Sequence, residues 1–323
     1  MWKLLIWHTW LMHLTAVGPV RGPLWLAQQP PPVQENLELS EAPNGFEAVD
    51  QLDGSIGYQG PSERYQQLAR AQVQLLGVRH GQAQSNADSE ALGEPLLYGQ
   101  SDSPLTDKGR EQAENCLRKV VEQLGGSDWL NRALEDPRLL PVVVSSDLSR
   151  AQETAEIFQE GLSREAESLK GEAGREVVEQ HLQMHSDARL RETNFGEFET
   201  QPLSRLQSAY PGFVSHWRPA QGPATDYLHR FPGGGESRAD VMRRMDEFLQ
   251  NCCLRFPGKT VIVISHGETL LSTRALLGKA PVLDGKVIAE TGVIPNAMPF
   301  WLVHEEQPQA LPATLGPRPY DLE

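Results

Sequence analysis

Three short apolar runs, each closed by polar residues and followed by a helix-like stretch, constrain this chain more than any other feature. Val73–Val78 breaks at Arg79-His80-Gly81. Pro141–Val144 leads into Ser145-Ser146-Asp147-Leu148-Ser149-Arg150, and Val261–Ile264 leads into Ser265-His266-Gly267-Glu268. Each run is strand-length and rich in β-branched or aliphatic residues. Strands alternate with helical patterns to about Glu305, which predicts an α/β fold rather than an all-β one. In an open α/β sheet, ligands bind just beyond the carboxyl ends of the strands. If the three runs lie side by side, Arg79, His80, Arg150 and His266 meet in one pocket.

Bulk composition narrows the partners. The 323 residues suffice for one large or two modest domains. A hydrophobic content of 39% and a charged content of 22% are ordinary for a soluble globular chain. The formal net charge of −14 argues against a nucleic-acid partner. An acidic protein still binds a phosphate ester where cations are concentrated locally, so clustered arginines carry more weight here. Cys116, Cys252 and Cys253 have neither metal spacing nor a Cys-x-x-Cys pair, and read as core or helix-face thiols without a disulfide framework.

Residues 1–18 form a possible signal or hydrophobic leader. Leu4–Val17 is too short for a membrane span, and Ala16-Val17-Gly18 fits a cleavage pattern that Pro19 opposes. Delivery to the secretory pathway or an organelle and residence in the cytoplasm both stay open. The chain has no Asn-x-Ser/Thr sequon to support secretion. No membrane association is expected beyond the leader. Residues 19–62 read as a disordered linker, stiffened by Pro30-Pro31-Pro32 and solvated by acidic residues. Residues 71–305 are the expected folded domain, and 306–323, rich in proline and glutamine, a disordered tail.

Within the domain, a short helix is expected over Pro61–Arg70. Thr106 is the expected N-cap of Asp107–Leu124, which Gly125-Gly126 ends. Gly109 inside its first turns costs about 1 kcal/mol relative to alanine and points to close packing. Ser146 or Asp147 is expected to cap the next helix, and the charged stretch Glu160–Gln180 to be a solvated helix or insertion. Ser237 is the expected cap of Arg238–Arg255, whose Val241, Met245 and Phe248 form a core stripe. Pro299–His304 reads as a last, edge strand.

Phosphoryl transfer demands positioning and charge stabilisation, together with a nucleophile. Histidine is largely unprotonated near neutral pH and forms a readily hydrolysed phosphoramidate, while arginine offers a planar cationic fork for phosphate. An Arg-His pair at a strand end supplies both. Arg79-His80-Gly81 with Asn86 begins an ordered series. Ser103-Pro104-Leu105-Thr106 through Gly109 and Gln112-Ala113 comes next, then Ser145-Ser146-Asp147-Leu148 through Arg150-Ala151 and Thr154-Ala155. Leu190-Arg191-Glu192-Thr193-Asn194-Phe195-Gly196-Glu197, Pro232-Gly233-Gly234-Gly235-Glu236-Ser237 and Ser265-His266-Gly267 complete it. From about Val73 to His304 this series resembles the histidine phosphatase superfamily, also called phosphoglycerate mutase-like.

The resemblance implies a three-layer α/β/α fold with a mostly parallel central sheet. It implies that His80 is the nucleophile, that Arg79, Arg150 and His266 line the phosphate pocket, and that Asn86 is a further phosphate contact. Glu192 matches the proton donor, which protonates the leaving oxygen and then deprotonates water. That role requires a carboxyl pKa suited to the operating pH, so partial burial near Phe195 is expected. Glu197 and Glu199 are the competing carboxylates. Gly233-Gly234-Gly235 reads as a flexible loop, because no Gly-Lys-Ser/Thr follows, and Glu236 as its organiser. His181, His185 and Asp187 have too loose a spacing for a metal and read as a surface stretch. No metal and no cofactor is expected, since Arg79 and Arg150 supply the charge a metal would.

In the family that this chain resembles, the cofactor-dependent phosphoglycerate mutases follow the acid with Arg-His-Tyr-Gly, whose arginine and tyrosine help hold the substrate carboxylate. Here Glu192 is followed by Thr193-Asn194-Phe195-Gly196, and the mutase-type Arg-Arg pair of the next segment is absent, Arg218 and Arg230 standing apart. The expected activity is therefore metal-independent phosphomonoester hydrolysis through a phosphohistidine, with mutase-type phosphotransfer as the alternative. A non-catalytic phosphate-binding pseudoenzyme is a further reading; it needs neither His80 nor Glu192. The expected partner is a small phosphomonoester or a phosphoprotein. Sugar phosphate, phosphoglycerate, phosphoserine and phosphoprotein all stay open.

Overall fold

Each apolar run divides its side chains between two cores. Leu76, Val78, Val143, Ile262 and Ile264 enter one, whereas Leu75, Val142, Val144, Val261 and Val263 enter the other. Strand side chains alternate between faces, so a run with no polar face needs cover on both sides. Helices provide it.

The computed structural model describes residues 57–58, 62–213, 228–278, 281–283, 286–287 and 294–304. The chain divides into units 1–40 and 41–323, and every described residue belongs to the second. The expected leader and tail, and almost all of the expected linker, lie outside the described residues. The strands are β1 (Gly57–Tyr58), β2 (Gln74–Arg79), β3 (Val142–Ser145), β4 (Gln183–Ser186), β5 (Thr260–Ser265), β6 (Pro281–Leu283), β7 (Lys286–Val287) and β8 (Pro299–Val303). The helices are α1 (Glu63–Arg70), α2 (Gln84–Leu92), α3 (Asp107–Leu124), α4 (Gly126–Glu135), α5 (Ser149–Lys170), α6 (Glu172–His181), α7 (Leu203–Ala209), α8 (Arg238–Arg255) and α9 (Gly267–Leu276).

The central sheet has five strands in the order β4-β3-β5-β2-β8. The three runs, β3, β5 and β2, are neighbours and parallel; β8 pairs antiparallel with β2 at the edge, as expected. Residues of α3, α4, α5 and α6 build the core on one face, and residues of α1, α8 and α9 the core on the other. This is the expected three-layer α/β/α arrangement. Gly57–Tyr58, within the stretch expected as linker, pairs with β6 in a small separate sheet with β7.

Local signals set several helix ends. Thr106 caps α3 by accepting the Gly109 N–H at 3.1 Å, and Gly125 ends it in the left-handed conformation at φ 116°. Ser237 and Asp240 form a reciprocal capping box on α8. The expectation for α5 needs correction. Its N-cap is Leu148, with no side-chain cap; Ser146 Oγ accepts from Leu148 N instead, and the Asp147 carboxylate is bound bidentately by Arg191. The charged stretch also differs from expectation. It forms the end of α5 and all of α6 but its last residue, and Gly161, Leu162, Ala166, Gly174 and Val178 are buried.

Candidate active site

Strand register brings the three motif ends level. Arg79 pairs with Ser265, and Ser145 with Ile264. One residue further, His80 N donates to Ser265 O at 3.0 Å and Ser146 N to Ile264 O at 2.9 Å. The imidazoles of His80 and His266 consequently face each other, with ring centroids 5.1 Å apart and planes inclined by 57°.

His80 is buried, and its Nδ1 lies 2.7 Å from Gly81 O. A carbonyl oxygen can only accept, so this contact assigns the proton to Nδ1 and leaves the lone pair on Nε2. Burial, then the charges of Arg150 and Arg79, hold the His80 pKa well below its ordinary value. The imidazole is therefore neutral. The turn beneath it has no slack: Gly81 N donates to Thr154 Oγ1 at 3.1 Å, and a Cβ on Gly81 would lie 2.3 Å from Gly109 O.

Arg150, in the first turn of α5, is only 2% exposed and is among the largest fully buried side chains described. Its Nη2 donates to Gly99 O at 2.7 Å and its Nη1 to Ser101 O at 3.1 Å. Those carbonyls are held in turn by Glu199, which accepts from Gly99 N, Gln100 N and Ser101 Oγ. Burial lowers the Arg150 pKa to about 10, which leaves the side chain cationic at neutral pH. Arg79 Nη1 donates to Ile294 O at 2.8 Å, and its own carbonyl accepts from Ala297 N at 2.8 Å.

His266 sits at the N-cap of α9, fully buried, and among the described residues neither of its ring nitrogens has a hydrogen-bond partner. Burial and the nearby Arg150 lower its pKa strongly. A buried polar atom left without a partner costs roughly 1–3 kcal/mol, and such exceptions are commonly functional.

Glu192 arrives from the loop after β4 and turns its carboxyl into the first turn of α9. Oε2 accepts from Glu268 N at 3.2 Å; Oε1 accepts from Thr193 N at 2.8 Å, Thr269 N at 3.3 Å and Thr269 Oγ1 at 3.2 Å. Two further bonds fix this loop, Ser265 Oγ donating to Leu190 O from the end of β5 and Thr269 Oγ1 donating to Arg191 O from α9. Burial, then the charge of Glu268, raises the Glu192 pKa against the hydrogen bonds and Arg150. The expected burial is there; Phe195 itself belongs to a small cluster with Leu97, Phe198, Leu206, Phe213 and Phe231.

Asn86 is nearby in a structural setting. Its Oδ1 accepts from Ala83 N at 3.0 Å at the start of α2, and from Asn296 Nδ2 at 3.4 Å, while Asn296 also donates to His80 O at 2.8 Å. The competing carboxylates serve loops, Glu197 accepting from Tyr210 Oη and Glu199 from Gly99 N and Gln100 N; Glu236 accepts from Asn194 N and pairs with Arg244. His185 lies on β4 with its ring 5.6 Å from Phe256, and Asp187 is bound by Arg189. Among the described residues, no group of three or more His, Cys, Asp or Glu side chains could hold a metal ion.

Sequence reasoning did not reach Asn296, the Arg244–Glu236 pair or the Arg238–Glu268 pair as site components. Thr154 lies one helical turn from Arg150, which is a usable signal; Asn296 lies in no recognisable pattern.

Fold and geometry together define an α/β protein with a neutral imidazole, permanent cations and a protonatable carboxyl converging beyond the carboxyl ends of its parallel strands. The chain belongs to the histidine phosphatase superfamily (branch 1), whose family model matches residues 75–291. It is 32% identical over 212 residues to a probable phosphoglycerate mutase GpmB of Yersinia enterocolitica, covering 65% of this chain and 77% of the relative. A solved structure titled mycobacterial hydrolase 2 aligns at 26% identity and a TM-score of 0.50, covering 71% of this chain and 80% of that one. A mycobacterial glucosyl-3-phosphoglycerate phosphatase aligns at 25% identity and a TM-score of 0.48, covering 71% and 88%.

Proposed function

We propose that this protein is a metal-independent phosphomonoester hydrolase working through a phosphohistidine on His80. The observation that carries the reading is the Nδ1 contact of His80 with Gly81 O at 2.7 Å, which leaves Nε2 as the nucleophilic atom in a pocket flanked by Arg79 and Arg150. Nε2 attacks phosphorus as the ester P–O bond breaks. Arg79, Arg150 and His266 stabilise the charge on the equatorial oxygens. Glu192, protonated in its buried site, gives its proton to the leaving oxygen; as carboxylate it then takes one from the water that cleaves the P–N bond. The substrate is a small phosphomonoester or a phosphoprotein.

Mutase-type phosphotransfer is the second reading, favoured by the 32% identity to a probable phosphoglycerate mutase. Against it stands the absence, after Glu192, of the cation and phenol that would hold a carboxylate through reorientation. The deciding experiment is rapid quenching with a phosphomonoester in chelator-containing buffer. Hydrolysis is expected to persist, with an acid-labile, base-stable phosphate on the protein that His80→Ala abolishes. Phosphate on serine or aspartate, activity without His80, or a requirement for added magnesium would overturn the mechanism. Transfer to a second hydroxyl of phosphoglycerate faster than release to water would favour the mutase.

A further inference from the structure

Beside Glu192 stands a second carboxylate with no part in the steps above. Glu268 is the second residue of α9, and its N–H is one of the donors to the Glu192 carboxyl. Its side chain reaches Arg238 in the first turn of α8, Oε2 lying 2.9 Å from Nη2. The two side chains are 11% and 9% exposed, so solvent screens their charges poorly. Both residues sit at the same positive helix terminus, Glu268 within its first turn and Glu192 as an acceptor of its N–H groups, and like charges sharing a site resist ionising together.

We infer that Glu268, held by Arg238, is a positioning residue that keeps the proton on Glu192, Arg238 setting how strongly it does so. This rests on the hydrolase reading above. Among the described residues, the other groups around Glu192 are Thr193, Thr269 and the backbone of α9, His266 at the N-cap of α9, Arg150 of α5, Arg79 beside Gly267, and Arg244 of α8, whose Nη2 donates to Glu192 O. Guanidinium groups are permanently charged in proteins, and burial lowers the His266 pKa strongly. Glu268 is an acidic neighbour, and its charge follows burial as the second cause of the raised Glu192 pKa.

The sign of each substitution follows. Glu268→Gln removes a negative charge, so Glu192 should lose its proton at a lower pH. Arg238→Met leaves Glu268 uncompensated, so Glu192 should keep its proton to a higher pH. The pH at which Glu192 titrates can be read directly from the 13C shift of its carboxyl in the free protein, without any substrate. It is expected to fall by about one pH unit in Glu268→Gln and to rise in Arg238→Met, with Arg238→Lys restoring the wild-type value. The alkaline limb of kcat/KM for glycerol 2-phosphate should move the same way in each variant, while p-nitrophenyl phosphate, whose leaving group needs no proton, shows no such movement.

Shifts in the same direction, or none, would overturn the inference, because a purely structural pair would weaken both substrates without opposite titration shifts. An alkaline limb that survives Glu192→Gln would instead remove the acid assignment, and this inference with it. Opposite carboxyl shifts in a protein lacking hydrolysis would sustain the coupling of Glu268 to Glu192 and place the failure in the hydrolase reading.

Discussion

Arg150 is the residue at which burial and chemistry conflict most. An arginine on a helix is ordinarily exposed, and taken by itself Arg150 would read as a surface residue. In the folded protein its guanidinium is buried against two carbonyls, a placement that stabilises folding poorly and that the proposed phosphate pocket would account for. Arg150→Ala is expected to lower kcat by roughly 10²–10³-fold, the usual cost of removing one transition-state charge stabiliser. A loss of only a few fold in steady-state assays would exclude Arg150 from the pocket. Glu192 is tested by leaving group: Glu192→Gln should slow an alkyl phosphate far more than p-nitrophenyl phosphate, because an alkoxide needs a proton and a nitrophenolate hardly does. Equal slowing would redirect the search to Glu197 or Glu236. The depressed pKa of His80 adds a sign: its nucleophilic form persists as pH falls through the ordinary histidine range, so loss of activity on the acid side should belong to another group.

At the scale of elements, helix starts were legible where the signal is local and misread where a distant partner competes. Thr106 and Ser237 cap as their sequences imply. Asp147 looks like a cap but is claimed by Arg191, 44 residues away. The stretch Glu160–Gln180 misled for a different reason. Its buried stripe is built largely of small residues, such as Gly161, Ala166 and Gly174, whose apolar signal is drowned by their charged neighbours. Small residues there permit close helix contact; a Cβ on Gly174 would lie 2.4 Å from Ala166 O. Gly109 was read correctly as a contact point, and the contact is with the active-site turn: its added Cβ would fall 2.0 Å from Gln82 O. Gly109→Ala must therefore move α3 or the Arg-His-Gly turn. It should destabilise by roughly 1–3 kcal/mol, the range for overpacking, and lower kcat as His80 shifts. Denaturant unfolding and turnover measured on the same sample check both.

For the whole molecule, the order in the sheet differs from the order in the chain, and that difference assembles the site. Arg79, His80, Arg150 and His266 were legible as residues beyond the ends of expected strands, and Glu192 only through the ordered series of motifs. The contribution of 294–297 was not, because its role is to hold backbone: Asn296 Nδ2 binds His80 O, and Ala297 N binds Arg79 O. Any polar residue in a loop looks alike until the fold places it. The same terminal segment then continues into β8, where Trp301 packs in the core beside Leu76 and Ile262. One stretch of chain thus serves the site with its first residues and the fold with its last. The two services should separate on substitution. Asn296→Ala removes one neutral hydrogen bond, worth about 1 kcal/mol, so stability should change little. Turnover should nevertheless drop roughly ten-fold, because small displacements of a nucleophile are costly. Trp301→Ala leaves a cavity in the core and should cost roughly 3–5 kcal/mol of stability. Well below its lowered unfolding temperature, the Trp301 variant should still turn over substrate at close to the wild-type rate. Urea unfolding paired with kcat at low temperature measures both. Should Asn296→Ala lose stability and keep turnover, the loop serves the fold and not the site.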